Sequence, residues 1–193
     1  MLSVIIATHE SERALVRTLA VLVAGAAAGA VREVIVADAG SSDATAEVAD
    51  IAGCQVLVSR APLGARLKDA AAGARASWFM FLRAGTVLDA TWIDETTRFI
   101  EDDERRDLNH SRAAVFRPAP AVSVARPVLV EALSLLRAAL GGRPRPDQGL
   151  LIARHLYDRF GGHRDQSDPE SDLLRRLGRR RIVMLRSGAV NAS

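Results

Sequence analysis

The sequence predicts an α/β domain with a largely parallel central sheet flanked by helices, and three observations carry that reading. Short apolar runs alternate with helical patterns at close spacing. The first run, Leu2 to Ala7, is apolar almost throughout, as a strand buried on both faces is. Hydrophobic residues make up 49% of the 193 residues and charged ones 25%, a balance that suits a folded core and excludes a disordered chain.

After the first strand a helix opens near Glu12, where Leu15, Leu19, Leu22 and Ala26 form one apolar stripe. Val34 to Ala37 is the second strand. Asp43 reads as the N-cap of the next helix, Val48, Ile51 and Ala52 as its core face, and Gly53 as its end. Gln55 to Val58 gives a third strand, Arg66 to Arg75 an alanine-rich helix and Trp78 to Leu82 a fourth strand. Trp92, Thr96, Phe99 and Ile100 then recur at helical spacing, and the acidic cluster Glu101 to Glu104 reads as a solvated helix end.

The second half is less regular. Pro118 and Pro120 make Ala113 to Val124 an edge or interrupted strand. Pro127 starts a helix through Val128, Ala132, Leu135, Leu136 and Leu140, stopped at Gly141-Gly142. A loop from Arg143 to Pro146 leads to Asp147-Gln148-Gly149 and the strand Leu150 to Ile152. A short helix, Arg154 to Phe160, ends at Gly161-Gly162. The last helix runs from Asp168-Pro169 to Gly178, and Ile182 to Leu185 is the terminal strand. With no repeat and no low-complexity linker, residues 1–193 are expected to form a single domain.

Composition narrows the partners. Basic residues exceed acidic ones by 26 to 23, and all of the basic set but Lys68 are arginines. So small an excess gives no footprint for nucleic acid. The lone Cys54 excludes an internal disulfide and suits a reducing compartment. No basic segment precedes a long apolar run, so no signal peptide is expected; the small-apolar stretch Ala20 to Val31 is broken by Gly25 and Gly29 and too short to span a bilayer. A cytoplasmic protein is expected. His9, His110, His155 and His163 have no ligand spacing, which argues against a histidine metal site.

The most informative stretch is Val34 to Asp43. An apolar strand ends in Asp38, and Gly40, Ser41 and Ser42 follow with free backbone N–H groups. Such a carboxylate either caps the local N–H groups of its own turn or meets a ligand in the crevice at the carboxyl ends of the strands. Thr8 and Glu10, just after the first strand, would line the same crevice; Glu10 is equally an ordinary first-turn acid.

Taken in order, Val4-Ile5-Ile6-Ala7-Thr8, the D-x-G-S-x-D pattern of Asp38 to Asp43, Trp78 to Thr86, Asp147-Gln148-Gly149, and Phe160-Gly161-Gly162 before an acidic helix start with Leu173, Arg175, Arg176 and Leu177 resemble the family 2 glycosyltransferases. More narrowly they are similar to the compact bacterial branch of selenodomain-associated transferases. The resemblance implies a GT-A (nucleotide-diphospho-sugar transferase-like) fold, in which about residues 1–88 grip a nucleotide-sugar and about 89–193 receive the acceptor. It implies donor contacts from Thr8, Glu10, Asp38 and Ser41 at the nucleoside, from Arg66, Lys68 and Arg83 at the phosphates, and from Asp147 and Gln148 beside them.

Family members carry a D-x-D motif, or a shortened form, that binds Mg²⁺ or Mn²⁺ at the end of the fourth strand. The matching positions here are Arg83 and Gly85, neither of which ligates a hard cation. No metal ligand is therefore assigned. Arg83 replacing the metal's charge, Asp89 supplying a carboxylate, and loss of catalysis remain as three alternatives; Asp89 also reads as the cap of the following helix. The resemblance places the catalytic base near Asp172-Leu173-Leu174-Arg175-Arg176-Leu177, which puts Glu170 in that role with Asp172 beside it. Glu170 and Asp172 also suit any helix start, behind Asp168 as N-cap and Pro169 at the first position.

The resulting expectation is transfer of a sugar from a nucleotide-sugar donor to a hydroxyl acceptor, with inversion implied by the family. A catalytically silent nucleotide-sugar-binding or partner-binding module is the alternative; a nucleotidyltransferase is weaker, since such enzymes need the metal carboxylates missing here. The arginines from Arg175 to Arg181 either complement a helix end or meet a lipid-linked acceptor at the inner membrane surface.

Overall fold

Strands β1 (Leu2–Thr8), β2 (Val31–Asp38), β3 (Gln55–Val58) and β4 (Trp78–Arg83) are short apolar runs that pair in parallel in the computed structural model, which describes residues 1–108, 111–118 and 144–191. Four more strands extend them: β5 (Thr86–Leu88), β6 (Ala113–Pro118), β7 (Leu150–Ala153) and β8 (Ile182–Asn191). Together they form one eight-stranded sheet in the order β3-β2-β1-β4-β7-β6-β8-β5. From β4 outward the sheet is mixed: β7 runs antiparallel to both β4 and β6, β6 pairs in parallel with β8, and β5 is antiparallel to β8. The parallel sheet expected from sequence therefore holds for the first half, where helices cross over between strands.

The order places a crevice. The chain steps from β1 outward to β2 and β3, then returns to the other side of β1 for β4. Open α/β sheets bind ligands at such a switch point, outside the carboxyl ends of the strands. The register aligns those ends, Thr8 opposite Asp38 and Ala7 opposite Arg83.

Helices α1 (Glu12–Ala27), α2 (Thr45–Ile51), α3 (Leu63–Gly73), α4 (Trp92–Glu104), α5 (Arg154–Arg159) and α6 (Pro169–Leu177) flank the sheet. The buried face of α1 is Leu15, Thr18, Leu22 and Gly25, with Ala26 exposed. Glycine replaces alanine on the stripe because the Trp92 ring packs there: a Cβ on Gly25 would lie 2.4 Å from it. The core centres on Val4, Ile5, Ile6, Phe79, Met80, Phe116, Leu151 and Ile152, all fully buried.

Several local expectations are corrected. Asp43 is not the N-cap of α2, since Ala44 holds that position; Asp43 instead accepts from the Thr45 N–H at 3.0 Å, one residue early. That helix buries Thr45 and Ala49, while Ile51 is 79% exposed and Ala52 lies on the surface, because seven residues end before the stripe returns to the core. Helix α3 begins at Leu63 rather than Arg66. The acidic cluster is only partly solvated. Asp103 continues the inward face of Trp92, Thr96, Phe99 and Ile100, accepting from Ser111 Oγ at 2.6 Å and the Arg112 N–H at 2.9 Å. Strand β6 is interior rather than an edge, with Pro118 at its end, and β8 runs on to Asn191. The helix expected from Pro127 to Leu140 lies outside the described residues.

Candidate functional site

The turn after β2 is organised by Asp38, which is 1% exposed. Its Oδ1 accepts from Thr8 Oγ1 at 2.8 Å and Ser41 Oγ at 2.6 Å, and its Oδ2 from the N–H groups of Gly40 at 2.8 Å and Ser41 at 2.7 Å. Burial works to raise the Asp38 pKa, but the bonds from Ser41, Thr8 and Gly40 outweigh it and hold the carboxyl below its ordinary range. Gly40 adopts φ +84°, a conformation that disfavours any side chain. With four donors already on its carboxylate, Asp38 builds the rim of the crevice rather than presenting free oxygens to it.

The loop after β1 is tied to the same turn. Glu10, at φ 48°, donates its N–H to Ser41 Oγ at 2.9 Å, and its Oε1 accepts from Ser42 N–H at 2.7 Å and Ser42 Oγ at 3.0 Å. A left-handed glutamate is uncommon and persists where surroundings over-determine it. Asp43 adds a further tie, accepting from the Glu12 N–H at 3.1 Å. Thr8, Glu10, Asp38 and Ser41 are thus brought together as a hydrogen-bonded rim.

Arg66, in the first turns of α3, covers the strand ends. Its guanidinium donates to the carbonyls of Ala37 at 2.5 Å, Thr8 at 3.3 Å and Ala61 at 3.2 Å. Burial lowers its pKa, and the charge of Asp38 partly offsets that. Lys68 does not join it. Two residues further along a helix lies about 200° round the axis, and Lys68 is on the exposed face. The start of α3 presses on the segment that leads to α6: a Cβ on Gly64 would sit 2.1 Å from the Arg164 carbonyl oxygen.

Across the crevice stands the pair that links β4 to α6. Arg83 donates from Nε to Glu170 Oε2 at 2.9 Å, and a terminal guanidinium nitrogen reaches the same oxygen. The Arg83 side chain is 44% exposed and that of Glu170 12%. Burial raises the Glu170 pKa above its ordinary value, and the Arg83 bond and charge only partly oppose this; Asp168 and Asp147 push the same way as burial. Asp168 caps α6, accepting from the Ser171 N–H at 3.1 Å, as the sequence suggested.

Three residues proposed from sequence have other employment. Asp172 accepts from Arg175 at 2.6 Å and Arg176 at 2.8 Å, and Arg176 continues to the carbonyls of Phe160 and Gly162, so this carboxylate fastens α6 to the double-glycine turn. Gln148 is 2% exposed, its amide oxygen taking the Arg145 N–H at 2.7 Å and its NH₂ donating to the Phe116 carbonyl at 2.8 Å. Asp89 takes the N–H groups of Thr91 at 3.0 Å and Gly188 at 2.5 Å, tying the start of α4 to β8; Thr91, not Asp89, is the N-cap. Asp147, in a 3₁₀ turn, lies 3.3 Å from Arg145.

Sequence reasoning missed His163. The ring is 2% exposed and lines a crevice with Phe81, Arg145, Gly149, Glu170 and Leu174. Tyr157 Oη accepts the His163 backbone N–H at 3.1 Å and lies 3.0 Å from Nδ1. The Tyr157 hydroxyl thus bridges the backbone N–H and the ring nitrogen of His163, the sense of the second bond following the imidazole tautomer. Burial pushes the Tyr157 phenol up to about 12 and His163 down to about 3, with the Arg176 charge adding to the latter. An aromatic and a histidine flanking Gly161-Gly162 was the available signal.

A divalent cation does not fit these residues. Arg83 and Gly85 offer no side-chain oxygen at the end of β4; the Gly85 N–H donates to Thr18 Oγ1 at 2.9 Å. No group of three His, Cys, Asp or Glu side chains suited to a metal occurs among the described residues.

A family model described as glycosyl transferase family 2 matches residues 3–121. The fold is shared with crystal structures of glucosyl-3-phosphoglycerate synthase from Mycobacterium tuberculosis. The complex with Mn²⁺, UDP and glucosyl-3-phosphoglycerate gives a TM-score of 0.71 at 18% identity, over 100% of this chain and 72% of that one. The complex with Mn²⁺ and UDP-glucose gives 0.70 at 20% identity, over 100% and 70%, and that with Mg²⁺ and UDP 0.71 at 18%, over 100% and 72%. Comparison with curated proteins gives no significant match.

Proposed function

The chain belongs to glycosyl transferase family 2, and on that premise we propose that it moves a sugar from a nucleotide-sugar, held across the carboxyl ends of β1, β2 and β4, to a hydroxyl acceptor, with Glu170 as general base. The observation that carries this is the place of Glu170: nearly buried, lining a pocket with His163, Arg145 and Gly149, and bonded to Arg83, the residue that ends β4. The acceptor oxygen attacks the anomeric carbon, its proton passes to Glu170, and the bond from that carbon to the phosphate oxygen breaks. The nucleoside diphosphate leaves with the electron pair. Attack from the face opposite the leaving group inverts the anomeric centre. Burial suits Glu170 to the task, since a carboxylate raised towards neutral pH is a stronger base than an ordinary one.

Within the family we assign the chain to the compact selenodomain-associated branch, on the ordered motifs from Val4 to Leu177. The rim of Thr8, Glu10, Asp38 and Ser41 would shape the nucleoside end, with Arg66 behind it and Asp147 near the acceptor side. A lipid-linked acceptor, reached from the cytoplasmic face of the membrane, is supported by the exposed Arg175, Arg179 and Arg180. No helix among the described residues is long and apolar enough to cross a membrane.

Incubating the full chain with UDP-, GDP-, ADP- and dTDP-sugars plus a panel of hydroxyl acceptors, and measuring nucleoside diphosphate release, tests the reading. Turnover that falls about 10²- to 10⁴-fold in Glu170→Gln is expected; no turnover of any donor, or an unchanged rate in that variant, refutes it. One observation favours the silent module instead, the absence of carboxylates at Arg83 and Gly85. Donor binding with no turnover would select it.

A further inference from the structure

Crystal structures of the same fold hold UDP together with Mn²⁺ or Mg²⁺; at the carboxyl end of β4 this chain has a guanidinium. Arg83 ends β4 in register with Ala7, on the side of β1 away from the Thr8 to Ser41 rim. Of the carboxylates whose charge acts on it, Asp168 is committed to the α6 cap and Glu170 to Arg83 itself, while Asp147 lies 3.3 Å from Arg145. A fixed cation in that position repels a second one.

The guanidinium is also prepared for an anion. Nε and one terminal nitrogen meet a single Glu170 oxygen, which fixes the plane of the group while using two of its five N–H donors. With 44% of the side chain exposed, the remaining donors are within reach of a ligand in the crevice. Planar, paired N–H donors match phosphate oxygens, and a charge held in place before the reaction stabilises the diphosphate as it leaves. We infer that this chain binds the diphosphate of its donor without a divalent cation, the Arg83 guanidinium, positioned by Glu170, supplying the positive charge. The inference rests on the glycosyl-transfer reading above and adds to it the way the phosphate charge is met. It also gives Glu170 a second task, as positioning residue for Arg83.

Calorimetric titration of the full chain with UDP, GDP, CDP, ADP and dTDP, and with the matching nucleosides, is done in EDTA and again in Mg²⁺ or Mn²⁺. At least one diphosphate is expected to bind with the same affinity, within about 3-fold, in both conditions. Arg83→Ala should weaken that binding by about 10- to 100-fold, the range for a hydrogen bond to a charged group, and leave the nucleoside unaffected. Arg83→Lys, which keeps the charge at the strand end but not the paired planar donors, should bind with an affinity between those of the native chain and Arg83→Ala, and thermal melts of both variants confirm that they fold. Diphosphate binding that requires metal overturns the inference and leaves glycosyl transfer standing, as does metal-free binding that Arg83→Ala does not change. Binding of none of the nucleotides in either condition overturns both.

Discussion

Replacing His163 by Gln should flatten the acid side of the stability profile. The imidazole is held near 3 by burial, against an ordinary 6.5, so the folded chain keeps it neutral while the unfolded chain takes up a proton. For such a depressed group the stability is complete above the unfolded pKa and is lost as pH falls from about 6.5 towards about 3. Each unit is worth about 1.4 kcal/mol, and integration between about pH 7 and about pH 5 gives a loss of about 2 kcal/mol. At a urea slope of about 2 kcal/mol per molar, the midpoint of the native chain drops by roughly 1 M over that interval. Glu170 works in the opposite sense: its folded pKa is raised, so protonation favours the fold as pH falls, but it is common to both proteins and drops out of the difference. Glutamine cannot titrate and keeps a hydrogen-bonding group near Tyr157. Urea melts of the two proteins at several pH values should therefore converge on acidification, and midpoints that stay parallel from about pH 7 to about pH 5 would refute the buried neutral imidazole.

Three further outcomes are expected. Gly64→Ala, whose Cβ would stand 2.1 Å from the Arg164 carbonyl oxygen, should destabilise by about 1–3 kcal/mol and lower Tm by about 2–4 °C for each of those; an unchanged melt would mean that α3 and the Arg164 segment are not in contact. Gln148→Leu strands the Arg145 N–H and the Phe116 carbonyl, at about 1–3 kcal/mol for each group by denaturant melts, and a neutral result would remove the buried bridge. In Arg83→Gln, Glu170 loses the partner that lowers its pKa, so the acidic limb of kcat/KM should move to higher pH. A limb that stays in place would show that another group sets it.

What the sequence disclosed was local. The apolar runs of β1 to β4, and Asp168-Pro169 opening α6, are signalled by residues within a few positions of one another, and the structure places them where the pattern does. The employment of each polar group is set by partners far along the chain. Asp38 was legible as a strand-end carboxylate, but its saturation depends on Thr8, thirty positions earlier. Glu170 could be matched to a family position, whereas its bond to Arg83 spans 87 positions and exists only through the crossing of β4 and α6. Asp103 is the converse case, a charge inside an acidic run whose helical phase turns it inward to Ser111 and Arg112. Lys68 was grouped with Arg66 by proximity in sequence, and helical phase separates them.

The Arg83 and Glu170 pair has little to offer stability. One partner is nearly half exposed, and pairs of that kind contribute about 0–1 kcal/mol, while burial of the carboxylate opposes folding. A chain selected only to keep the fold would do as well with an apolar residue at position 170. The two groups make better sense through each other. Without Arg83 the buried carboxyl is driven further towards its neutral form, so that less of it is ionised at a given pH, and without Glu170 the guanidinium at the end of β4 is free to swing away from the crevice. A single contact between β4 and α6 thereby joins the place where phosphate charge must be met to the place where a proton must be taken. Stability and turnover should consequently part company at this pair, with substitutions that hardly move the melt altering the chemistry.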